Sequence, residues 1–519
     1  MIVPPDVLRG ELPEEQSHFP ALGPNVNALL VWPKIPCSYW SFTGMLSVIP
    51  ESTIMPPLGL LTLAALCPKS WNLRLIDCAF QEVTDSDLQW AHVVLVSAMQ
   101  VQRVDTHSIL RRARALGVRT MIGGPYASSQ PEILLPLADH VVVGEPDEVF
   151  GEIAHQLETG AAQHLYRIEQ KPDVRRTPPP RFDLLELDRY ASMAVQFSRG
   201  CPFQCEFCDI ITIYGRRPRT KTPAQFLADL EQLNRLGWRK QVFVVDDNFI
   251  GNKRRAKELL AAMVEWGRIH GRPFRFLTEA SLNLADDPEL LQLMKDAGFS
   301  SVFLGIETPD EISLIANHKM QNTKRDLLES IETIQHYGIE VMGGFILGFD
   351  TDREDVFDRM VEFIQKSAIP VAMVGLLQAM PGTQLFRRLH SEGRILNGGD
   401  GDNTDCTLNF IPRMDSARLV EGYRSVMQRI YSHEAYYERV KLLLSRCRPT
   451  STGRFTFANL RAFFSSIVRQ GVIGRGRLSY WRFVLTTALR DPRSLGKAMT
   501  LAVMGYHFQI MPERLLEQE

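Results

Sequence analysis

The sequence predicts an α/β protein in three parts: an N-terminal doubly wound (Rossmann-like) domain, a partial (β/α)6 TIM-type barrel and a helical C-terminal region. Three observations carry this prediction. A chain of 519 residues is too long for one ordinary core. Short β-branched and aliphatic runs alternate with amphipathic stretches from about residue 26 to residue 400, which is typical of strand–helix units around parallel sheets. Beyond residue 400 the alternation stops and the hydrophobic pattern becomes helical.

The alternation divides the chain into five segments. We expect an N-terminal extension at 1–25, the doubly wound domain at 26–165, a linker at 166–190, the barrel at 191–400 and the helical region at 401–519. The linker contains three consecutive prolines at 178–180, which neither a helix nor a central strand accommodates.

Each block contains its own set of predicted strands. In the doubly wound domain they cover 27–32, 73–77, 92–97, 119–122 and 140–143, with helices at 57–66 and at about 106–116. In the barrel they cover 193–197, 241–245, 275–278, 301–305, 340–345 and 370–376, separated by helices such as 222–236. Six even strand–helix units predict a partial barrel, whose chemistry lies where the strands end.

Charge and cysteine content limit the classes of function. The net charge of −2 and the pI near 6.7 give no overall field for a polyanion, so we expect no nucleic-acid partner. Eight cysteines, three of them within eight residues, are typical of a reduced cytoplasmic protein with a metal site. We find no export signal and no uncharged run of about 18 apolar residues. The basic, aromatic C-terminal helices suit contact with a membrane surface or a cap on the barrel, and we favour the cap.

Three cysteines follow the first barrel strand in the spacing C-x3-C-x2-C: Cys201, Cys205 and Cys208. Three thiolates on one loop can hold three corners of a [4Fe–4S] cubane, and the fourth iron is left open for the amino and carboxylate groups of a methionine moiety. A structural zinc site would need a fourth ligand, and an electron-carrier cluster would need four cysteines. A structural zinc site, an electron-carrier cluster and a chance grouping of buried cysteines remain as alternative interpretations.

The motif and its place after the first barrel strand resemble the radical S-adenosylmethionine superfamily over about residues 190–400. The resemblance implies a [4Fe–4S] cluster and S-adenosylmethionine as cofactors. It implies that Phe207 lies against the adenine ring. It also implies that Asp246 and Asp247, after the second strand, bind the methionine ammonium, although the common Gly-Gly-Glu segment is absent here.

Further barrel residues are candidates for S-adenosylmethionine binding. Glu279 ends the third predicted strand and Glu307 follows the fourth, so both carboxylates are expected at the barrel mouth, near ribose hydroxyls or the ammonium. Gly343 and Gly344, in the fifth strand, would allow the backbone to approach adenine closely.

A doubly wound domain before such a barrel resembles the cobalamin-binding subclass, over about residues 26–165. The candidate corrin contacts follow the strands: Pro57, Gly59, Ser97, Gln100, Gly123, Gly124, Gly144 and Glu145. The first strand–helix loop has no histidine, so the resemblance implies cobalamin held without a histidine ligand, and we predict His107 on a helix surface. A nicotinamide or flavin domain would need G-x-G-x-x-G at the first turn, which is absent. A degenerate, empty domain is the other alternative.

The overall pattern most resembles hopanoid and bacteriochlorophyll methylases, and this likeness extends to residues 504–508 near the C-terminus. It implies a methyltransferase that acts on an unactivated carbon of an apolar small molecule of hopanoid, isoprenoid or tetrapyrrole type, with a flavodoxin- or ferredoxin-like electron donor. Three alternatives remain: a cobalamin-binding oxidase or cyclase, a methylthiotransferase with a second cluster at Cys37, Cys67 and Cys78, and a non-catalytic iron–sulfur redox module.

Overall fold

The computed structural model describes residues 19–38, 41–399, 401–447 and 463–516. Most of the predicted N-terminal extension, residues 1–18, therefore lies outside the described residues. The described chain forms two parallel sheets of six strands and a C-terminal group of helices.

The first sheet is a doubly wound parallel sheet with the strand order β2-β1-β3-β4-β5-β6. Its strands are β1 (Asn27–Trp32), β2 (Asn72–Asp77), β3 (Val93–Ser97), β4 (Arg119–Gly123), β5 (His140–Val143) and β6 (Leu165–Arg167). The order reverses between β1 and β3, and in open α/β sheets ligands bind outside the carboxyl ends of the strands at such a point. Five strands agree with the prediction. The sixth, at the edge, is only three residues long and gave no recognisable pattern.

Alternating residues of this sheet build two separate cores. Leu29 and Val31 of β1 pack into one core, and Ala28 and Leu30 pack into the other. Both faces are therefore covered, as expected for a parallel sheet whose strands are continuous apolar runs.

The second sheet is the partial barrel. Its strands run parallel in chain order: β7 (Ser192–Val195), β10 (Gln241–Val244), β11 (Arg275–Ala280), β12 (Phe299–Glu307), β13 (Glu340–Leu347) and β14 (Ala372–Leu376). The short strands β8 (Ser198–Arg199) and β9 (Arg219–Thr220) pair antiparallel after β7. The predicted six units are confirmed. β12 is longer than predicted because it continues through a bulge between Gly305 and Glu307.

Nineteen helices of the described residues surround the sheets. They are α1 (Thr43–Leu46), α2 (Leu58–Leu66), α3 (Asp85–Trp90), α4 (Arg103–Ala115), α5 (Gly124–Ser129), α6 (Pro131–Leu134), α7 (Phe150–Thr159), α8 (Ile210–Ile213), α9 (Pro223–Arg235), α10 (Lys253–His270), α11 (Pro288–Ala297), α12 (Glu311–Ala316), α13 (Leu327–His336), α14 (Val356–Ser367), α15 (Gln384–Ser391), α16 (Ser416–Tyr431), α17 (His433–Arg446), α18 (Arg477–Arg490) and α19 (Leu495–Leu516). A π-helical segment covers Ile467–Ile473. Among these described helices, none is both long and apolar enough to cross a bilayer.

Arg439 joins the C-terminal helices to the barrel. Its side chain is fully buried on α17, and its guanidinium donates to the carbonyl oxygens of Ile369 and Ile430, each at 2.7 Å. No carboxylate of the described residues pairs with it, and burial lowers its pKa. Carbonyl oxygens therefore solvate the charge where β14 begins and where α16 ends.

Replacing this buried arginine should loosen the junction. In the Arg439→Met variant the two carbonyl groups lose their donor inside the protein, so we expect local stability to fall by about 3 kcal/mol. Hydrogen exchange of the β14 and α16 amides measures this loss. Arg429→Met is the matched control, because Arg429 makes an exposed ion pair with Asp358 and its removal should change exchange little. Equal effects of the two substitutions would contradict this account.

Candidate active site

The cluster loop, residues 200–208, lies at the carboxyl end of β7 and folds back on the segment before β9. Gly200 has φ of +94°, and a Cβ there would lie 2.8 Å from the carbonyl oxygen of Gly215. The Cys201 amide donates to that same oxygen at 3.2 Å. Only glycine therefore fits at position 200.

Three consecutive polar residues after β10 hold the first half of the cluster loop. Asp246 accepts from the Phe197 and Ser198 amides at 2.7 and 2.8 Å, and from the Ser198 hydroxyl at 2.6 Å. Asp247 accepts from the Gly200 amide at 2.7 Å. Asn248 points its amide nitrogen at Cys201 Sγ, 3.8 Å away. The strand end of β10 thus fixes the chain around the first cysteine.

Both carboxylate oxygens of Asp246 accept hydrogen bonds from the chain, so Asp246 supports the cluster loop. The contact predicted between Asp246 and the methionine ammonium stays a prediction. Burial raises the pKa of Asp246 to about 7 and that of Asp247 to about 6. The contact predicted between Asp247 and the ammonium stays a prediction.

The second half of the loop is held from the opposite side of the barrel mouth. The Glu206 amide donates to Asn317 O at 3.0 Å, and its carboxylate accepts from Arg388 Nε at 2.7 Å. Gln321 Nε2 lies 3.6 Å from Cys205 Sγ. The loop is therefore held by two groups of residues that are far apart in sequence.

A buried ion pair lies beside the cysteines. Lys319 Nζ donates to Glu307 Oε1 at 2.6 Å. Burial alone would lower the pKa of Lys319, but Glu307 and the thiolates of Cys205 and Cys208 outweigh it and raise that pKa. Glu307 has φ of +67°, a left-handed conformation beside the β12 bulge. At Gly305 a Cβ would lie 2.4 Å from Glu307 Oε1, so glycine leaves room for the pair.

The loop provides the ligands that an iron–sulfur cluster needs. Its three cysteines can each bind a separate iron of one cubane. Burial raises the pKa of Cys201 and Cys208, and a metal that bound them would displace the protons. Amide donors at Cys201 and Cys205 are the kind of contact that tunes a cluster.

One of the residues predicted for S-adenosylmethionine, Gly344, faces the interior of the barrel. Val302, Leu304 and Ile306 pack outward into the core, so Phe303 and Gly305 face inward. Gly344 also faces inward, because a Cβ there would lie 3.1 Å from the Phe303 ring.

Gly343 points the other way. A Cβ on Gly343 would meet Phe345, Ile306 and Ile369, all in the outward core. Gly343 and Gly344 differ in this way because neighbouring residues of a strand point to opposite faces. The backbone approach to adenine predicted at Gly343 stays a prediction.

The two remaining barrel candidates lie near the mouth. The Phe207 ring packs against Phe349 at 5.9 Å between ring centroids, in a small apolar cluster. Glu279 is half-buried. Its pKa is raised to about 7, mainly by burial and to a smaller extent by the negative charges of Asp247 and Asp246. Their contacts with S-adenosylmethionine stay predictions.

The candidate corrin contacts lie at the carboxyl edge of the first sheet. Gly124, with φ of +89°, has no room for a side chain because a Cβ would lie 2.6 Å from Ser97 Oγ. Gly144 has φ of +97°, and a Cβ there would lie 2.4 Å from the carbonyl oxygen of Ile168. Gly123 and Gly59 are more open, and no atom lies within 4 Å of a Cβ on Gly59. Pro57 caps the amino end of α2.

Three buried glutamine side chains provide a test of the fit to cobalamin. Gln100 Oε1, Gln130 Nε2 and Gln378 Oε1 have no hydrogen-bond partner among the described residues. Gln100 also donates to Gly398 O and Gly399 O, so it joins the first domain to the segment that follows α15. Gln100 and Gln130 follow strands of the first sheet and Gln378 follows β14, and their unpaired buried donors and acceptors suit the amide groups on a corrin ring. The fit is good, and sequence reasoning had found only Gln100.

A buried ion network joins the first sheet to the cluster loop. Arg199 donates to Glu145 at 2.9 Å and to Asp147 at 2.8 Å, and Arg219 donates to Glu145 at 2.8 Å. Both oxygens of the Glu145 carboxylate thus make ion pairs, and the contact predicted between Glu145 and cobalamin stays a prediction. Glu145 positions one cofactor domain against the other.

Two predictions are corrected. His107 is half-buried and its Nε2 lies 3.0 Å from the Tyr126 hydroxyl, so it is not a surface residue. Cys67 and Cys78 pack into cores on opposite faces of the first sheet, and Cys37 is exposed. These three cysteines therefore cannot share a second cluster, which removes the basis for a methylthiotransferase.

Weakening the hydrogen bonds of Asp246 should lower the affinity of the loop for the cluster. Asp246→Asn replaces one acceptor oxygen by an amide nitrogen facing an N–H donor, so we expect about tenfold weaker retention of iron against a chelator after anaerobic reconstitution. Asp188→Asn, on an exposed residue of the linker, is the control and should retain iron like the native chain. Native retention in Asp246→Asn would show that these hydrogen bonds do not support the cluster.

Comparison with known families agrees with this geometry. A B12 binding domain model matches residues 50–154, a Radical SAM superfamily model matches residues 195–364, and a domain of unknown function (DUF4070) matches residues 383–519.

Full-length relatives and solved structures extend the comparison. The chain is 42% identical to an uncharacterized methyltransferase (sll1242) of Synechocystis sp., over 93% of this chain and 91% of that protein. It is 36% identical to the hopanoid C-2 methylase of Rhodopseudomonas palustris, over 93% of each. The fold resembles the radical S-adenosylmethionine methyltransferase TsrM from Kitasatospora setae, with a TM-score of 0.61 at 14% identity, over 90% of this chain and 100% of that one. The chain therefore belongs to the cobalamin-binding radical S-adenosylmethionine enzymes.

Proposed function

We propose that this chain is a cobalamin-dependent radical S-adenosylmethionine methyltransferase that methylates an unactivated carbon of an apolar substrate of hopanoid, isoprenoid or tetrapyrrole type. The observation that carries the proposal is the buried network of Arg199, Arg219, Glu145 and Asp147. It fixes the carboxyl edge of the first sheet against the cluster loop, which supports a shared substrate space between the two proposed cofactor sites.

The chain's own residues would position the cofactors, keep water out of the barrel mouth and adjust the electrostatic surroundings of the cluster. When bound, the cluster and cobalamin supply electron transfer and methyl transfer, respectively. Asn248 and Gln321 donate toward the cluster cysteines, and the Lys319–Glu307 pair sets a fixed charge beside them. Phe207 and Phe349 keep water from the mouth. No protein base is required.

Relatives support methyl transfer and an apolar substrate. Besides the hopanoid C-2 methylase, the chain is 25% identical to the bacteriochlorophyllide d C-12(1)-methyltransferase of Chlorobaculum tepidum, over 80% of this chain and 89% of that protein. The substrates in both names are large and largely apolar ring systems, which suits the aromatic lining of the barrel mouth.

Loss of one cluster ligand tests the proposal. Cys205→Ala should abolish formation of 5′-deoxyadenosine, because the cubane loses a ligand. With the native chain the product should gain about 14 Da, the mass of one added methylene unit. Cys67→Ala is the matched control and should retain activity, since that thiol lies in an apolar core. Formation of 5′-deoxyadenosine without the gain of about 14 Da in the product would indicate a cobalamin-binding oxidase or cyclase instead.

We also propose that a small acidic one-electron carrier of the flavodoxin or ferredoxin class binds beside the cluster loop. A groove of about 940 Å³ is lined there by nine lysines and arginines and by only two acidic residues, Glu148 and Asp173. The groove and the loop share backbone, because the carbonyl oxygens of Gly215 and Arg217 pack against Gly200. The positive charge of the groove would attract an acidic donor. The bound donor would then be separated from the cluster by a single backbone segment.

Charge reversal in the groove tests the donor site. Arg216 and Arg217 are exposed, and Arg216→Glu/Arg217→Glu should weaken binding of a purified flavodoxin about tenfold at low salt. Turnover supported by flavodoxin should fall, while turnover supported by dithionite should not. The control Lys69→Glu/Arg275→Glu makes the same charge change at the opposite ends of the strands. Equal losses with both reductants would argue against a donor site.

A further inference from the structure

We infer that the C-terminal helical region, the part matched by a domain of unknown function, docks this enzyme on the surface of a lipid bilayer. The contact is an apolar surface bordered by arginines, which we call the bilayer face: Val468, Val472, Ile473, Leu478, Leu485 and Leu489. The inference deepens the proposed function, since a bilayer is where an apolar substrate is found.

The helix α18 is apolar on two opposite sides. Tyr480, Phe483 and Val484 are buried against the protein. Leu478, Leu485 and Leu489 follow one another at spacings of seven and four residues, so they form one stripe on the other side. Leu478 is 81% exposed and Leu489 is 84% exposed. A surface helix normally has a polar outer side, and an apolar stripe there indicates an apolar neighbour.

The π-helical segment before α18 continues the same kind of surface. Val468, Val472 and Ile473 are all at least half exposed. The segment is bonded to α18, because Trp481 Nε1 donates to Gly471 O at 2.9 Å. Soluble proteins rarely leave so many large apolar side chains exposed on adjoining elements without a binding role.

The charges around this surface suit anionic headgroups. Between residues 463 and 500 the sequence contains one acidic residue, Asp491. Six exposed arginines lie in the same stretch: Arg469, Arg475, Arg477, Arg482, Arg490 and Arg493. Arginine binds phosphate groups through paired N–H donors. Because no described helix can cross a bilayer, the face would lie on the surface and dip into the headgroup boundary.

The helical region also connects this face to the candidate active site. The amide of Gly44, in the short helix α1 within the connection after β1, donates to His507 Nδ1 of α19 at 3.2 Å. The Phe508 ring stacks on Tyr431 at 4.8 Å between centroids. The helix α19, which packs on α18, therefore contacts this connection at the carboxyl edge of the cobalamin-binding sheet. A substrate that leaves the bilayer would enter beside this helix.

Vesicle sedimentation of the full chain tests the inference, without any cofactor or turnover. Native protein should sediment with vesicles of phosphatidylcholine and phosphatidylglycerol, and less with pure phosphatidylcholine. Leu478→Ser/Leu485→Ser/Leu489→Ser should lower the bound fraction about tenfold or more, because it removes the apolar stripe. Arg482→Gln/Arg490→Gln should remove the preference for phosphatidylglycerol.

The matched control is Val104→Ser/Ile269→Ser/Ile312→Ser, which changes three equally exposed apolar residues outside this region. Its bound fraction should equal that of the native chain. Native protein that fails to sediment, or equal losses in both triple variants, overturns the inference. So does a stable dimer that the leucine substitutions convert to monomer, because a second copy would then cover the face. A chain that binds vesicles but produces no 5′-deoxyadenosine would refute the proposed function alone.

Discussion

The chemistry proposed for this chain depends on holding one short loop, residues 200–208, in a fixed shape. Asp246, Asp247 and Asn248 follow one another at the end of β10 and contact the chain at Phe197–Ser198, Gly200 and Cys201 in the same order. One strand end thereby sets the position of the loop. Asp246 and Asp247 accept from backbone donors and Asn248 donates to a cysteine sulfur, and these contacts together favour one conformation of the loop.

The second requirement is a fixed relation between two cofactor domains. Interfaces between domains are often mobile, unless they are large or specifically bonded. Here two arginines from the strands that bracket the cluster loop reach two carboxylates after β5. Because these charges are buried, breaking one partner would leave the other uncompensated, so the network specifies one arrangement of the domains.

The C-terminal helices pack against the rest of the protein on one side and present an exposed apolar surface on the other. Inside, Arg439 is solvated by carbonyl oxygens at the junction with the barrel. Outside, α18 presents leucines where a soluble protein would present charge. One helical layer therefore packs on the barrel and contacts α1 of the first domain through His507, while its exposed side suits an apolar medium.

The sequence by itself determined the fold class, the six barrel units and the three cluster cysteines, because each is a local pattern of hydrophobic period or ligand spacing. It also located the strand ends at which Ser97, Gly124, Glu279 and Glu307 lie. Only the tertiary structure showed that Asp246 and Glu145 are occupied by the chain itself, that Gly343 faces outward, and that Lys319 and Gln321 reach the cysteines. Those facts depend on contacts between residues up to about a hundred positions apart, and no local pattern encodes which distant partner a side chain meets.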